Sequence, residues 1–135
     1  MHTSERAKNG YAHTQKQMGS DIELELKIFT DITGRLAGAN VSEPGGMSKL
    51  ATALQDNARL WNLIFLDLTN PDNQLENELK TGLIYLAEFT RAHTSKVLQG
   101  EAEATILIEI NKNIISGKRD YFNRAVGAHA EVDAA

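Results

Sequence analysis

The chain has 135 residues, a formal net charge of −4, a hydrophobic fraction of 41% and no cysteine. That is the size of a single domain with a core of its own, and the composition argues against disorder along the whole chain. The acidic balance disfavours a nucleic-acid binder that works by neutralising phosphates, and the absence of thiols excludes disulfides, thiolate metal sites and cysteine nucleophiles.

Residues 1–19 are polar, and Tyr11 and Met18 are their only large apolar anchors. They read as a short or mobile arm without the apolar run of a signal peptide. Ser20 and Glu23 have capping-box spacing and predict a first helix. Ile22, Leu26, Phe29, Thr33 and Leu36 recur on one helical face, widened by Leu24, Ile28 and Ile32. Gly38 and Asn40 are stop signals, and Glu43-Pro44-Gly45-Gly46 reads as a loop.

Ser48 is the expected N-cap of a second helix. Leu50, Leu54, Trp61, Phe65 and Leu68 share a face of it with Ala58, while Leu60, Leu63 and Ile64 spread over the flanks. A helix so widely apolar belongs at the centre of a bundle. Asn70-Pro71 ends it, and Asn73 with Glu76 repeats the capping spacing. A third helix then carries Leu75, Leu79, Leu83, Leu86, Thr90, His93 and Val97 at heptad-like steps up to Gln99-Gly100.

The run from Thr105 to Ile110 is β-branched and alone would suit a strand. However, Ile106, Ile110 and Ile114 step by four, Gly117 stands where a C-terminal glycine cap belongs, and no partner strand is in sight. The tail, 118–135, holds a short helical pattern around Tyr121, Phe122 and Val126. The expectation is an all-α protein, a small bundle of four main helices forming one domain over 1–135. Its core spans about 20–117, between the arm and the tail.

No constellation for catalysis emerges. His2, His13, His93 and His129 are scattered, and no Glu-x-x-His pair, zinc spacing or phosphate-binding glycine loop occurs. The chain is therefore expected to be no enzyme and to need no metal or cofactor. No apolar stretch is long enough to span a bilayer, since Asp67 interrupts the run after Leu66. His93, on the apolar side of the third helix, reads as a half-buried, hydrogen-bonded side chain before it reads as a pH sensor. Lys112, Lys118, Arg119 and Arg124 read as solvated surface. Trp61, the only tryptophan, sits beside Asn57 and Arg59 in the most informative run of the chain. It reads as core, with any partner contact made by the residues that flank it.

Several stretches, in order, resemble the flagellar biosynthesis regulator FlaF family of alphaproteobacteria. They are Tyr11; Glu25-Leu26-Lys27-Ile28-Phe29 with Ile32-Thr33 and Leu36; and Ala53-Leu54 with Asn57-Ala58-Arg59-Leu60-Trp61. Asp67, Asn73-Gln74-Leu75 and Leu79 follow, then Arg91-Ala92-His93-Thr94-Ser95 with Gly100, and Ile108-Glu109-Ile110-Asn111 with Ile114 and Gly117. Glu76 stands where the family often has proline, and Lys80 where it often has arginine, which puts any forked contact by that arginine in doubt here.

The resemblance implies a small cytoplasmic helical protein needed for flagellin production. It implies direct binding of flagellin as a secretion chaperone and a link to the companion regulator FlbT. Flagellin has helical termini that pack together only in the filament, so an all-helical chaperone suits helix-in-groove recognition. The candidate contact residues are Asn57, Arg59, Trp61, Ile64, Lys80, Tyr85 and His93. Direct contact with flagellin mRNA, against the acidic charge, and a generic helical adaptor or homodimer are the alternatives.

Overall fold

The computed structural model describes residues 21–134, with side chains up to residue 124 except that of residue 122. These residues form four helices and no strand: α1 over residues 21–38, α2 over Gly46–Leu68, α3 over Asn77–Leu98 and α4 over Thr105–Ala134. This is the all-α, four-helix organisation that the periodicity implies. Ser20, Tyr11 and Met18 lie outside the described residues, as do the side chains of Phe122 and Val126.

The contacts divide the chain into two units. One is Asp31–Lys112; the other takes the described residues up to Thr30 together with those from Asn113 on. In the first unit all four helices feed one core of Ile32 and Leu36 from α1, Leu50, Ala53 and Leu54 from α2, Val97 from α3 and Leu107 from α4. Leu60, Ala104 and Ile108 pack against it. Each fully buried leucine, such as Leu54 or Leu107, contributes about 1.5–3 kcal/mol by leaving water. In the second unit Phe29 is buried, and the half-buried Lys118 places its ammonium 5.8 Å from the Phe29 ring centroid while pairing with Glu25. Lys118 therefore has a structural partner and is not the freely solvated cation expected from the sequence.

The helix ends differ in detail from the sequence signals. α2 starts at Gly46, two residues before Ser48, which lies inside the helix and accepts a 3.0 Å bond from the Thr52 hydroxyl at its carbonyl. The connection from α1 sets this start. Asn40 accepts from the backbone and hydroxyl of Ser42 through its side chain and from Glu43 through its carbonyl, and Gly46 N–H then donates to Glu43. Gly45 turns the chain with φ 77°.

α3 starts at Asn77 with no side-chain cap. Asn73 instead accepts from Leu75 N–H at 3.0 Å and donates to the Asp67 carbonyl at 3.2 Å, because a short amide bonds its own turn more readily than a helix start four residues away. At the other end of α3 the expected glycine stop holds. Gly100, φ 77°, donates to Val97 and Glu101 donates to Lys96, which is the Schellman pattern.

Gly117, expected as the cap of α4, does not end it, and the helix runs on to Ala134. A glycine costs a helix about 1 kcal/mol, and the residues that follow, Gly127 apart, are helix-compatible and carry the helix on.

The same cost makes one stabilising substitution available. Gly34 is exposed in the middle of α1, and a Cβ there would meet nothing within 4 Å. Gly34→Ala is expected to raise unfolding stability by up to about 1 kcal/mol, read as a higher urea midpoint with an unchanged m-value.

Candidate partner-binding site

The buried faces of α2 and α4 are apolar at most steps but carry an asparagine each. On α2 the steps Leu50, Leu54, Asn57 and Trp61 all point inward, and on α4 Asn111 falls between Leu107 and Ile115. Asn57 and Asn111 are both 0% exposed and Trp61 is 2% exposed. Trp61 Nε1–H donates to Asn111 Oδ1 at 3.0 Å, and Asn111 Nδ2 donates to Asn57 Oδ1 at 2.8 Å. Asn111 is thus the bridge that ties the α2 tryptophan and amide to α4. Asn57 Nδ2 has no hydrogen-bond partner among the described residues.

On its other side Trp61 floors a groove between α2 and α3. Ala58, Trp61, Asn62 and Phe65 line it from α2, and Ala87, Glu88, Thr90 and Arg91 from α3, around about 170 Å³ of space. Ala58 and Ala87 face it where larger side chains would fill it. Arg91 reaches Asn62 at 3.4 Å across the rim, and Glu88 adds a carboxylate. Thr90 lines the wall of the groove, and its buried hydroxyl has no hydrogen-bond partner among the described residues. The arrangement offers an apolar floor and a rim with both charge signs. It can take an apolar or amide side chain and grip the backbone or polar groups beside it.

The seven candidate residues fall into distinct places. Asn57 and Trp61 are inside, so neither meets a partner directly except where the indole forms the groove floor. Arg59 is exposed, its side chain 80% accessible and 3.8 Å from Asp56. Asp56 itself is held at 2.9 Å by Arg35, whose guanidinium this hydrogen bond raises further above its usual value. Ile64 is half-buried on α2. Lys80 is bound up in structure, donating to the Asn73 carbonyl at 3.0 Å and holding the α2–α3 turn.

Tyr85 is 68% exposed on α3. His93 stacks on Phe89 with ring centroids 5.3 Å apart and bonds the Glu103 carbonyl through Nε2 at 2.8 Å. A carbonyl only accepts, so Nε2 carries the proton. His93 is thereby a tie between α3 and the turn before α4. Groove residues Ala58, Asn62, Phe65, Ala87, Glu88, Thr90 and Arg91 were not among the candidates. Ala58, Phe65, Thr90 and Arg91 appear in the faces and motifs read from the sequence, but nothing there groups them with Asn62, Ala87 and Glu88 as a groove.

Among the described residues no group of His, Asp or Glu side chains is placed to hold a metal, and no helix is long and apolar enough to cross a membrane. A family model described as flagellar protein FlaF matches residues 7–117. No curated protein and no solved structure gives a significant match. The matched span covers α1, α2, α3 and the start of α4, including the whole groove and the asparagine bridge, and the chain belongs to the FlaF family of flagellar proteins.

Proposed function

We propose that this protein is a non-catalytic, cytoplasmic chaperone and regulator that binds flagellin before export, through a helical terminal segment docked on the α2–α3 groove. The observation that carries the reading is the groove itself, an open slot of about 170 Å³ with the only tryptophan as its floor, in a flagellar family. A partner helix would place one or two side chains in the slot and cover the apolar stripe it otherwise exposes, which is the helix-in-groove mode. Exposed Leu63 and Leu66 on α2, together with Arg59, offer a neighbouring surface for an accessory regulator such as FlbT.

The reading is tested by measuring binding of purified monomeric flagellin by calorimetry, with the wild type and with Ala58→Leu. The added leucine fills the slot, and affinity is expected to fall tenfold or more with helicity unchanged. Equal affinity of the two proteins, or no binding by the wild type, contradicts the proposal.

A further inference from the structure

α3 carries two apolar seams. Leu83, Ala87, Thr90, Thr94 and Val97 step by four and three and turn to the core, where all but the half-buried Leu83 are buried. A second set, Leu79, Gly82, Leu86, Phe89 and His93, steps by three and four beside it. This is coiled-coil spacing, yet Leu79 is 51% exposed, Gly82 is exposed, and Leu86, Phe89 and His93 are only half-buried. Among the described residues a Cβ on Gly82 would meet nothing within 4 Å, so no contact they make accounts for a glycine in mid-helix. The seam ends in opposite charges on one flank. Glu78 stands at its start and Lys96 at its end, both exposed, with Tyr85 and Ala92 between them.

We infer that this seam pairs with the same seam of a second copy, the two α3 helices running antiparallel. A two-fold axis perpendicular to the helices brings a flank against itself, so Glu78 of each copy meets Lys96 of the other. That register stacks Leu86 against Phe89 of the second copy twice at the centre. It sets Gly82 opposite His93, where a larger side chain would crowd the imidazole that Phe89 and the Glu103 carbonyl hold in place. It also lays the Lys96 stem over Leu79. Every layer joins complementary sizes, and both charged ends find opposite partners.

A parallel pairing would put the two charged flanks on opposite sides of the seam, and Glu78 and Lys96 would not meet. The groove is left open, because Glu88 and Arg91 lie on another face of α3. A seam of this length buries less than a standard stable interface, so the dimer is expected to be weak and concentration-dependent.

Sedimentation equilibrium of the full chain over a wide concentration range tests this. The wild type should pass from monomer to dimer, and Gly82→Arg should remain monomeric with its helicity intact. Glu78→Lys and Lys96→Glu should each weaken the dimer about five- to tenfold, and the double charge swap should restore it. The two positions are 18 residues apart, about 27 Å along one helix. Restoration can therefore come only from contact between copies. A wild type that stays monomeric at the highest soluble concentration, a Gly82→Arg dimer of unchanged strength, or a double swap no tighter than the singles would each overturn the inference.

Discussion

Asn111→Ala is expected to destabilise the protein by about 4 kcal/mol. Asn111 is 0% exposed, and its amide serves two partners at once, accepting from Trp61 and donating to Asn57. Truncation leaves the indole N–H and the Asn57 carbonyl oxygen buried without those bonds, each costing about 1–3 kcal/mol, and adds a small cavity. Trp61→Phe removes the N–H donor and part of the ring volume of a buried side chain, and should cost about 2–4 kcal/mol. Because both substitutions break the same hydrogen bond, the double variant should lose less than the two single losses combined. Urea unfolding of the four proteins checks this, and additive losses would show that the bridge is not the unit of stability it is described as here.

Gly46→Ala is the second large effect. A Cβ at Gly46 would lie 1.7 Å from the Asn40 carbonyl oxygen and 2.6 Å from its carbon. Both are backbone atoms, fixed by the Glu43 N–H bond to Asn40 and by the Gly46 N–H bond to Glu43, so no side chain can swing away. The turn must open, with a loss on the order of 3–5 kcal/mol. Gly45, one residue earlier, makes the contrast. Its φ of 77° is costly for any residue with a side chain, but its Cβ position is open. Gly45→Ala should therefore cost only about 1–2 kcal/mol. Two adjacent glycines thus have different reasons to be glycine, and thermal unfolding of the two variants should separate them clearly.

The helical organisation was legible because local periodicity is written in every segment. Phe29, Leu50, Leu54, Trp61 and Val97 all fall on the faces that their spacing predicts, and all are buried. What spacing could not decide was how far each apolar face is covered. Leu24, Ile28 and Leu63 were counted with buried or flanking surface and are exposed, since a helix has more apolar positions than its neighbours cover. Helix starts were misplaced where short amides and glycines had a choice of partners. Asn73 bonds its own turn, and Gly45-Gly46 begins α2 without help from Ser48.

The site was legible only in part, for a related reason. Trp61 announces itself by type, and its burial agrees with the core reading. Asn111 is visible in retrospect as the polar step between Leu107 and Ile115. Nothing in a single sequence, however, pairs it with Trp61 fifty residues earlier. The groove is an absence of volume between two helices, made by Ala58 and Ala87, and absences have no motif. Lys80 drew notice as a departure from the family's arginine and His93 as a chargeable group on an apolar face, and both are structural ties.

The most direct test of the account follows Trp61 itself while flagellin binds. Since the chain has one tryptophan, incorporating 5-fluorotryptophan gives a single ¹⁹F resonance from the groove floor. Adding unlabelled monomeric flagellin is expected to shift that resonance, and Ala58→Leu is expected to abolish the shift at the same concentrations. A complex that forms while the Trp61 resonance stays unchanged would place flagellin elsewhere on the protein and contradict the groove as its binding site.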